Sequence, residues 1–215
     1  MSSKDITIME NINAENDRIA EGIQNRLSKK GIYAVNVIGA PGVGKTSSLI
    51  RIISGLEGVK PYVIEGDIQS DIDTEKLKKL NIEAVQIHTG GACHIDGVLI
   101  ENTLNKLTLD QKGILFIENI GNLVCPAEFN IGENIKLLII TVAEGADKPY
   151  KYPLAFEKAA AILINKADLM PYVDFDMEYF TKGVRALNPD APIFPVSAKT
   201  DEGFQEVVQW LRSRL

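Results

Sequence analysis

Residues 39–46 read Gly39-Ala40-Pro41-Gly42-Val43-Gly44-Lys45-Thr46, and satisfy G-x-x-x-x-G-K-[ST] at every fixed position. Gly39 and Gly44 permit backbone turns that aim consecutive N–H groups at phosphate oxygens. Lys45 reaches the β- and γ-phosphates, and the Thr46 hydroxyl is placed to ligate Mg²⁺. This chemistry needs a strand before the loop and a helix N-terminus after it. Tyr33–Ile38 is an apolar, β-branched run, and Ser47–Ile53 reads as the helix. The chain is therefore expected to bind a nucleoside triphosphate through residues 39–47.

The preferred base is written further along. Asn165-Lys166-Ala167-Asp168 follows the apolar run Ala161–Ile164, where a buried strand would end. Guanine presents two adjacent donors, N1–H and the exocyclic amine, which the Asp168 carboxylate can accept bidentately. Asn165 would brace the loop or meet the acceptor edge of the base, while the Lys166 stem covers the ring face. Ser197-Ala198-Lys199 follows another strand-like run, Ile193–Val196, and a backbone N–H there suits the guanine O6. The expectation is GTP rather than ATP.

Hydrolysis of a phosphoanhydride needs Mg²⁺, a positioned water and charge stabilisation. Glu118 follows the apolar run Ile114–Ile117 as the carboxylate of a metal-bearing strand, and Gly121 would let the backbone approach the γ-phosphate. Residues Glu118–Asn122 are thus the candidate switch segment. Asp67 follows the run Tyr62–Glu65 in an unusually acidic stretch and would orient the attacking water. Thr46, Asp67, Asp73 and Glu118 are the candidate magnesium ligands, and Lys45, Asp67 and Glu118 the candidate catalytic groups. Asp71 and Asp73 have a plainer alternative, favouring the N-terminus of a helix over Thr74–Leu80.

A second chemistry is present. The sequence holds two cysteines and two histidines, yet Cys93 and His94 are adjacent. With Cys125 they offer ligands to Ni²⁺, Zn²⁺ or Cu rather than to Mg²⁺ or Ca²⁺. Adjacent side chains on an extended backbone point opposite ways, so Cys93 and His94 are expected to serve different ions or different subunits. Three ligands leave one coordination place open, or invite completion across a two-fold dimer axis. Ligand type alone fits structural thiols equally well. His88, alone at a strand end, reads as structural.

The elements that must carry these residues follow from patterning. Apolar runs at 33–38, 62–65, 84–87, 114–117, 137–142, 161–164 and 193–196 alternate with helical patterns. That alternation predicts an α/β fold, a mainly parallel, roughly seven-stranded sheet covered by helices on both faces. Ligands of such sheets bind beyond the carboxyl ends of the strands, where every motif above falls. Ile12, Ile19, Ile23 and Leu27 mark an amphipathic leading helix within residues 1–31, ended by Gly31. Phe204, Val207, Val208, Leu211 and Leu215 mark one face of the last helix. Length fits a single domain spanning 1–215.

Composition bounds the alternatives. A net charge of −6 without a basic stripe argues against nonspecific nucleic-acid binding. No apolar run approaches the roughly 18–20 residues that cross a bilayer, and residues 1–7 carry no apolar signal core. A reduced, cytoplasmic, soluble protein is expected, with no membrane partner.

Assembled, these residues resemble the HypB family of hydrogenase nickel-incorporation GTPases, members of the P-loop NTPase class related to the urease accessory GTPases. The resemblance spans nearly the whole chain and rests on Gly39–Thr46, Glu65–Asp67, Cys93-His94, Glu118–Pro126, Glu144–Pro149 and Asn165–Asp168. It implies GTP hydrolysis coupled to nickel delivery during maturation of [NiFe]-hydrogenase, with maturation accessory proteins and the hydrogenase large subunit as partners. It also implies a GTP-promoted homodimer whose interface holds Ni²⁺ or Zn²⁺ on Cys93, His94 and Cys125. Lys148 is similar to a family position near the guanine base. Residues 1–30 contain neither Cys nor His, so no N-terminal nickel-storage stretch is expected in this sequence. Urease as the client, or a nucleotide-gated scaffold with structural thiols, are the competing readings.

Overall fold

The computed structural model describes residues 3–67, 77 and 82–215. Seven strands among them form one parallel sheet: β1 (Ile32–Ile38), β2 (Lys60–Asp67), β3 (Glu83–His88), β4 (Gly113–Glu118), β5 (Ile135–Thr141), β6 (Ala159–Asn165) and β7 (Ile193–Pro195). Their spatial order is β3-β2-β4-β1-β5-β6-β7. The expected α/β architecture and strand number are what the chain adopts.

The period of two along each strand divides the sheet's side chains between two helical layers. Val35, Val37, Phe116, Leu137, Ile139 and Leu163 pack with Leu49 and Ile52 of α2 (Lys45–Gly55) and with Phe204, Val207 and Leu211 of α8 (Phe204–Arg212). On the opposite face, Ala34, Tyr62, Ile64, Leu115 and Ile117 pack with Ile23 and Leu27 of α1 (Ser3–Lys29) and Ile100 and Leu104 of α3 (Gly97–Leu104). That face continues as Ile38, Leu138, Ile140, Ile162 and Ile164 under Ala155 and Phe156 of α6 (Pro153–Lys158) and Phe180 and Val184 of α7 (Met177–Leu187). Two short helices, α4 (Cys125–Glu128) and α5 (Lys148–Lys151), lie in the connections.

Boundaries differ from expectation where packing overrides pattern. The helix after the phosphate loop starts at Lys45, not Ser47, because Gly44 already turns the chain. The last helix ends at Arg212, so Leu215 lies beyond it and is exposed instead of continuing the apolar face. The leading helix ends at Lys29, with Gly31 at φ +69° making the turn into β1. Asp71, Asp73 and the helix expected over Thr74–Leu80 lie outside the described residues, save Leu77, which is buried.

Phe116 is fully buried at the middle of β4. Phe116→Ala should cost about 3–5 kcal/mol of stability through lost transfer energy and a residual cavity. Urea unfolding followed by tryptophan fluorescence checks this, and a loss below about 1 kcal/mol would contradict the packing described.

Candidate functional site

The phosphate loop leaves the carboxyl end of β1, a central strand, and enters α2. Gly44 sits at φ +90°, and a Cβ there would run into the Asn165 side-chain amide. Only glycine tolerates both conditions. The Lys45 side chain is buried, and its Nζ lies 3.4 Å from Gly39 O and 3.3 Å from Ala40 O. The Lys45 ammonium thus sits within the loop that its backbone forms.

The base-side elements are fastened to this loop. Asn165, the last residue of β6, donates from Nδ2 to Val43 O at 2.8 Å. Its Oδ1 accepts the Ala198 N–H at 3.1 Å. Asn165 therefore braces three loops rather than meeting a base edge, and the Ala198 N–H is engaged by that brace. Lys166 adopts the left-handed region at φ +59°, and its Nζ donates to Gly42 O at 2.9 Å. A non-glycine residue held there is strained, a pattern that clusters at ligand sites. Asp168 Oδ1 accepts the Ser197 hydroxyl at 2.7 Å, which orients the carboxylate. Gly44, Ser47, Asn165, Lys166, Asp168, Leu169, Ala198 and Lys199 line one open cleft of about 470 Å³.

Lys148 does not line that cleft. It opens α5, lies 3.5 Å from Glu144 Oε1 and sits over the Tyr152 ring. Glu144 is itself fixed by a reciprocal cap with Thr141 at the end of β5.

Beside the loop, Thr46 Oγ1 donates to Glu118 Oε1 at 2.9 Å. Glu118 ends β4, in register with Val37 of β1 and Glu65 of β2. Asp67 ends β2, in register with His88 of β3, so it reaches the same edge of the sheet. Gly121 packs directly on the phosphate loop: a Cβ there would lie 2.8 Å from Pro41 Cγ and 2.9 Å from Pro41 N. The missing side chain is what permits this close approach to the phosphate loop.

The second cluster forms at the same end, from the bend after β3 and the first residue of α4. Cys93, His94 and Cys125 bring one ligand atom each within 4.8 Å of one another. Cys93 Sγ is 3.2 Å from Cys125 Sγ and 3.4 Å from His94 Nδ1. The expectation that Cys93 and His94 diverge is wrong, because the backbone bends here instead of extending. Phe129 stacks on the His94 ring at 4.1 Å between centroids, a support the sequence reading missed. An aromatic four residues after Cys125 was the available signal.

Proton chemistry at the cluster is uneven. The hydrogen bond from Cys93 and partial burial push the Cys125 thiol up, with Asn122 opposing. Burial pushes His94 down against the attraction of Asp96 and Glu128. A metal must displace thiol protons but takes imidazole in its neutral form, so the lowered His94 favours ligation and the raised Cys125 opposes it. Three soft and borderline donors within one ion's reach can hold a thiophilic divalent cation. Among the described residues no helix is long and apolar enough to cross a membrane.

A phosphate loop between a central parallel strand and its helix, with a carboxylate loop braced upon it, defines a P-loop nucleotide-binding protein. Residues 33–195 match the family described as CobW/HypB/UreG, nucleotide-binding domain. The hydrogenase maturation factor HypB of Azotobacter vinelandii is 42% identical over 210 residues, covering 97% of this chain and 69% of that protein. The hydrogenase/urease maturation factor HypB of Helicobacter pylori strain J99 is 36% identical, covering 98% and 88%. The crystal structure of HypB from Helicobacter pylori in complex with nickel superposes with a TM-score of 0.89 at 35% identity, over 93% of this chain and 94% of that one. The chain belongs to the CobW/HypB/UreG family and, within it, to HypB.

Proposed function

We propose that this chain is a GTP-hydrolysing metallochaperone that binds nickel and delivers it during maturation of [NiFe]-hydrogenase. The observation that carries the reading is the Cys93/His94/Cys125 cluster, whose donor set suits Ni²⁺ and which is built onto the turn that packs against the phosphate loop. That a HypB structure from Helicobacter pylori holds nickel supports the choice of cargo.

Asp168 reads guanine through its N1–H and amine, Lys166 covers the base, and the Ser197–Lys199 loop faces the remaining edge. The Gly39–Ser47 backbone and Lys45 bind the phosphates. The adjacent oxygens of Thr46 and Glu118 fit Mg²⁺, a hard cation that takes oxygen ligands. Bound there with GTP, Mg²⁺ would neutralise phosphate charge. Asp67 and Asp73 complete the candidate set, with Asp67 orienting the attacking water. Lys148 acts at one remove, through the Glu144 segment.

A three-ligand site is one short of the four that a tetrahedral ion takes. Val98, in the first turn of α3 after His94, and Val124, beside Cys125, are exposed and favour coverage by a second copy. A homodimer formed in the GTP state is therefore part of the proposal. So are residues 1–215 acting as one domain, a cytoplasmic setting, and maturation accessory proteins and the hydrogenase large subunit as receivers. A second client is favoured by the Helicobacter relatives, whose names couple hydrogenase with urease.

The test is titration of Ni²⁺ and Zn²⁺ into the GTP-analogue and GDP forms, with sedimentation mass measured in parallel. Cys125→Ser should weaken Ni²⁺ binding by at least the roughly 10–100-fold seen when a supporting group of a metal site is removed. Wild-type Ni²⁺ affinity in the mutant would show the thiol to be structural and sink the cargo assignment.

A further inference from the structure

The phosphate loop and the Cys/His cluster are joined through one residue. Asn122 is tied to the phosphate loop by its backbone, whose N–H donates to Gly39 O at 3.1 Å in an isolated antiparallel bridge. Its side chain is tied to the cluster. Nδ2 donates to Cys93 O at 3.1 Å, and Oδ1 accepts the Val124 N–H at 2.9 Å, one residue before Cys125. One amide therefore holds the backbones that carry both thiols, while its own main chain is anchored on the first residue of the phosphate loop.

Asn119, three residues earlier, makes a useful contrast. Its Oδ1 accepts the Ile95 N–H at 3.2 Å, so it too reaches the metal-ligand loop. Its Nδ2, however, donates to Asn36 Oδ1 at 3.1 Å, inside the buried centre of β1. Asn119 thus fastens the loop to the rigid sheet. Asn122 fastens it to the element that touches phosphate, and Gly121 against Pro41 leaves little room for the turn to move independently of that element.

We infer that Asn122 is the positioning residue that makes Ni²⁺ affinity at Cys93, His94 and Cys125 depend on the nucleotide in the phosphate loop. The inference rests on the metal-delivery reading above and names its coupling element. A change in the Gly39 peptide as phosphate is bound or lost is passed through the Gly39–Asn122 bridge to the Asn122 amide. The amide then shifts Cys93 and the start of α4 relative to each other. The two thiols stand on separate segments, a bend after β3 and the first turn of α4, so a small relative shift changes their separation and hence the fit to an ion. A neutral hydrogen bond contributes about 0.5–1.5 kcal/mol, which sets the coupling at up to about tenfold in affinity per bond.

The experiment measures Ni²⁺ affinity by competition with a chelator, using the full chain loaded with GDP or with a non-hydrolysable GTP analogue. Wild type, Asn122→Ala and Asn122→Asp are compared. The wild-type ratio between nucleotide states should be about tenfold. In Asn122→Ala the ratio should fall towards one while Ni²⁺ still binds. By reciprocity, Ni²⁺ should then cease to alter affinity for the analogue. Asn122→Asp is near-isosteric and keeps the acceptor for Val124 but loses the donor to Cys93, so its ratio should fall partway. A simple structural role would weaken binding in both nucleotide states and leave the ratio standing. A ratio retained in both variants overturns the inference and leaves nickel delivery intact. A wild type that binds Ni²⁺ equally in both states also overturns it, and a wild type that binds no Ni²⁺ overturns the delivery reading itself.

Discussion

Lys45→Ala should lower affinity for GTP by about two to four orders of magnitude, and hydrolysis should fall with it. The lysine is buried inside the phosphate loop and already turned toward that loop's carbonyls. Two charge-assisted hydrogen bonds to phosphate oxygens at about 1.5–3 kcal/mol each give about 3–6 kcal/mol in total. The variant should still fold, because the loop's shape is set by the turn at Gly44 and the bridge from Gly39 to Asn122 and not by the lysine. Calorimetric titration of GTP, with a thermal melt as the folding control, checks both halves. Nanomolar affinity retained in a folded Lys45→Ala protein would remove the phosphate-loop assignment.

Asp168→Asn should reverse the sense of base recognition. On the proposed reading the carboxylate accepts two guanine donors, whereas an amide would turn a donor toward at least one of them. Loss of two charge-assisted bonds predicts GTP affinity lower by about a hundredfold or more. Xanthosine triphosphate carries a carbonyl where guanine has its amine, so it should bind the variant better than GTP does. Ser197 can still donate to the Oδ1 of asparagine, so the loop should keep its place. The check is a competition series with GTP, ATP and xanthosine triphosphate. An unchanged order of preference in Asp168→Asn would show that Asp168 does not read the base.

Much of the fold could be read from local pattern because a strand buried on both faces is apolar along its whole length. Runs such as Leu137–Val142 and Ala161–Ile164 announced themselves for that reason. Ends were less legible. Leu215 continues the helical spacing, but the helix stops at Arg212 and leaves the residue half exposed. Periodicity records which face is apolar, and not where the neighbouring layer ends.

The sites divide along a similar line. Residue types whose chemistry is intrinsic are visible in the sequence: a phosphate-cradling glycine loop, a carboxylate for two guanine donors, a thiol beside an imidazole. What they are fastened to is not visible. Asn165 had two available roles, and only the fold showed its amide spent on Val43 and Ala198. Cys93 and His94 were expected to diverge, and converge because their loop bends. Phe129 carries no motif of its own, and Asn122, though inside the candidate switch segment, gave no sign that its amide would reach Cys93.

The sequence by itself determined the ligand classes, since charge, softness and hydrogen-bonding capacity belong to each side chain wherever it lies. It also determined the layered α/β fold, because burial on two faces leaves a continuous apolar record. Only the tertiary structure decided which of those groups share a site and which backbone joins them. Cys93 and Cys125 are 32 positions apart, and Asn122 is 83 from Gly39. Contacts over such separations are set by how the strands are ordered in the sheet, which no local spacing encodes.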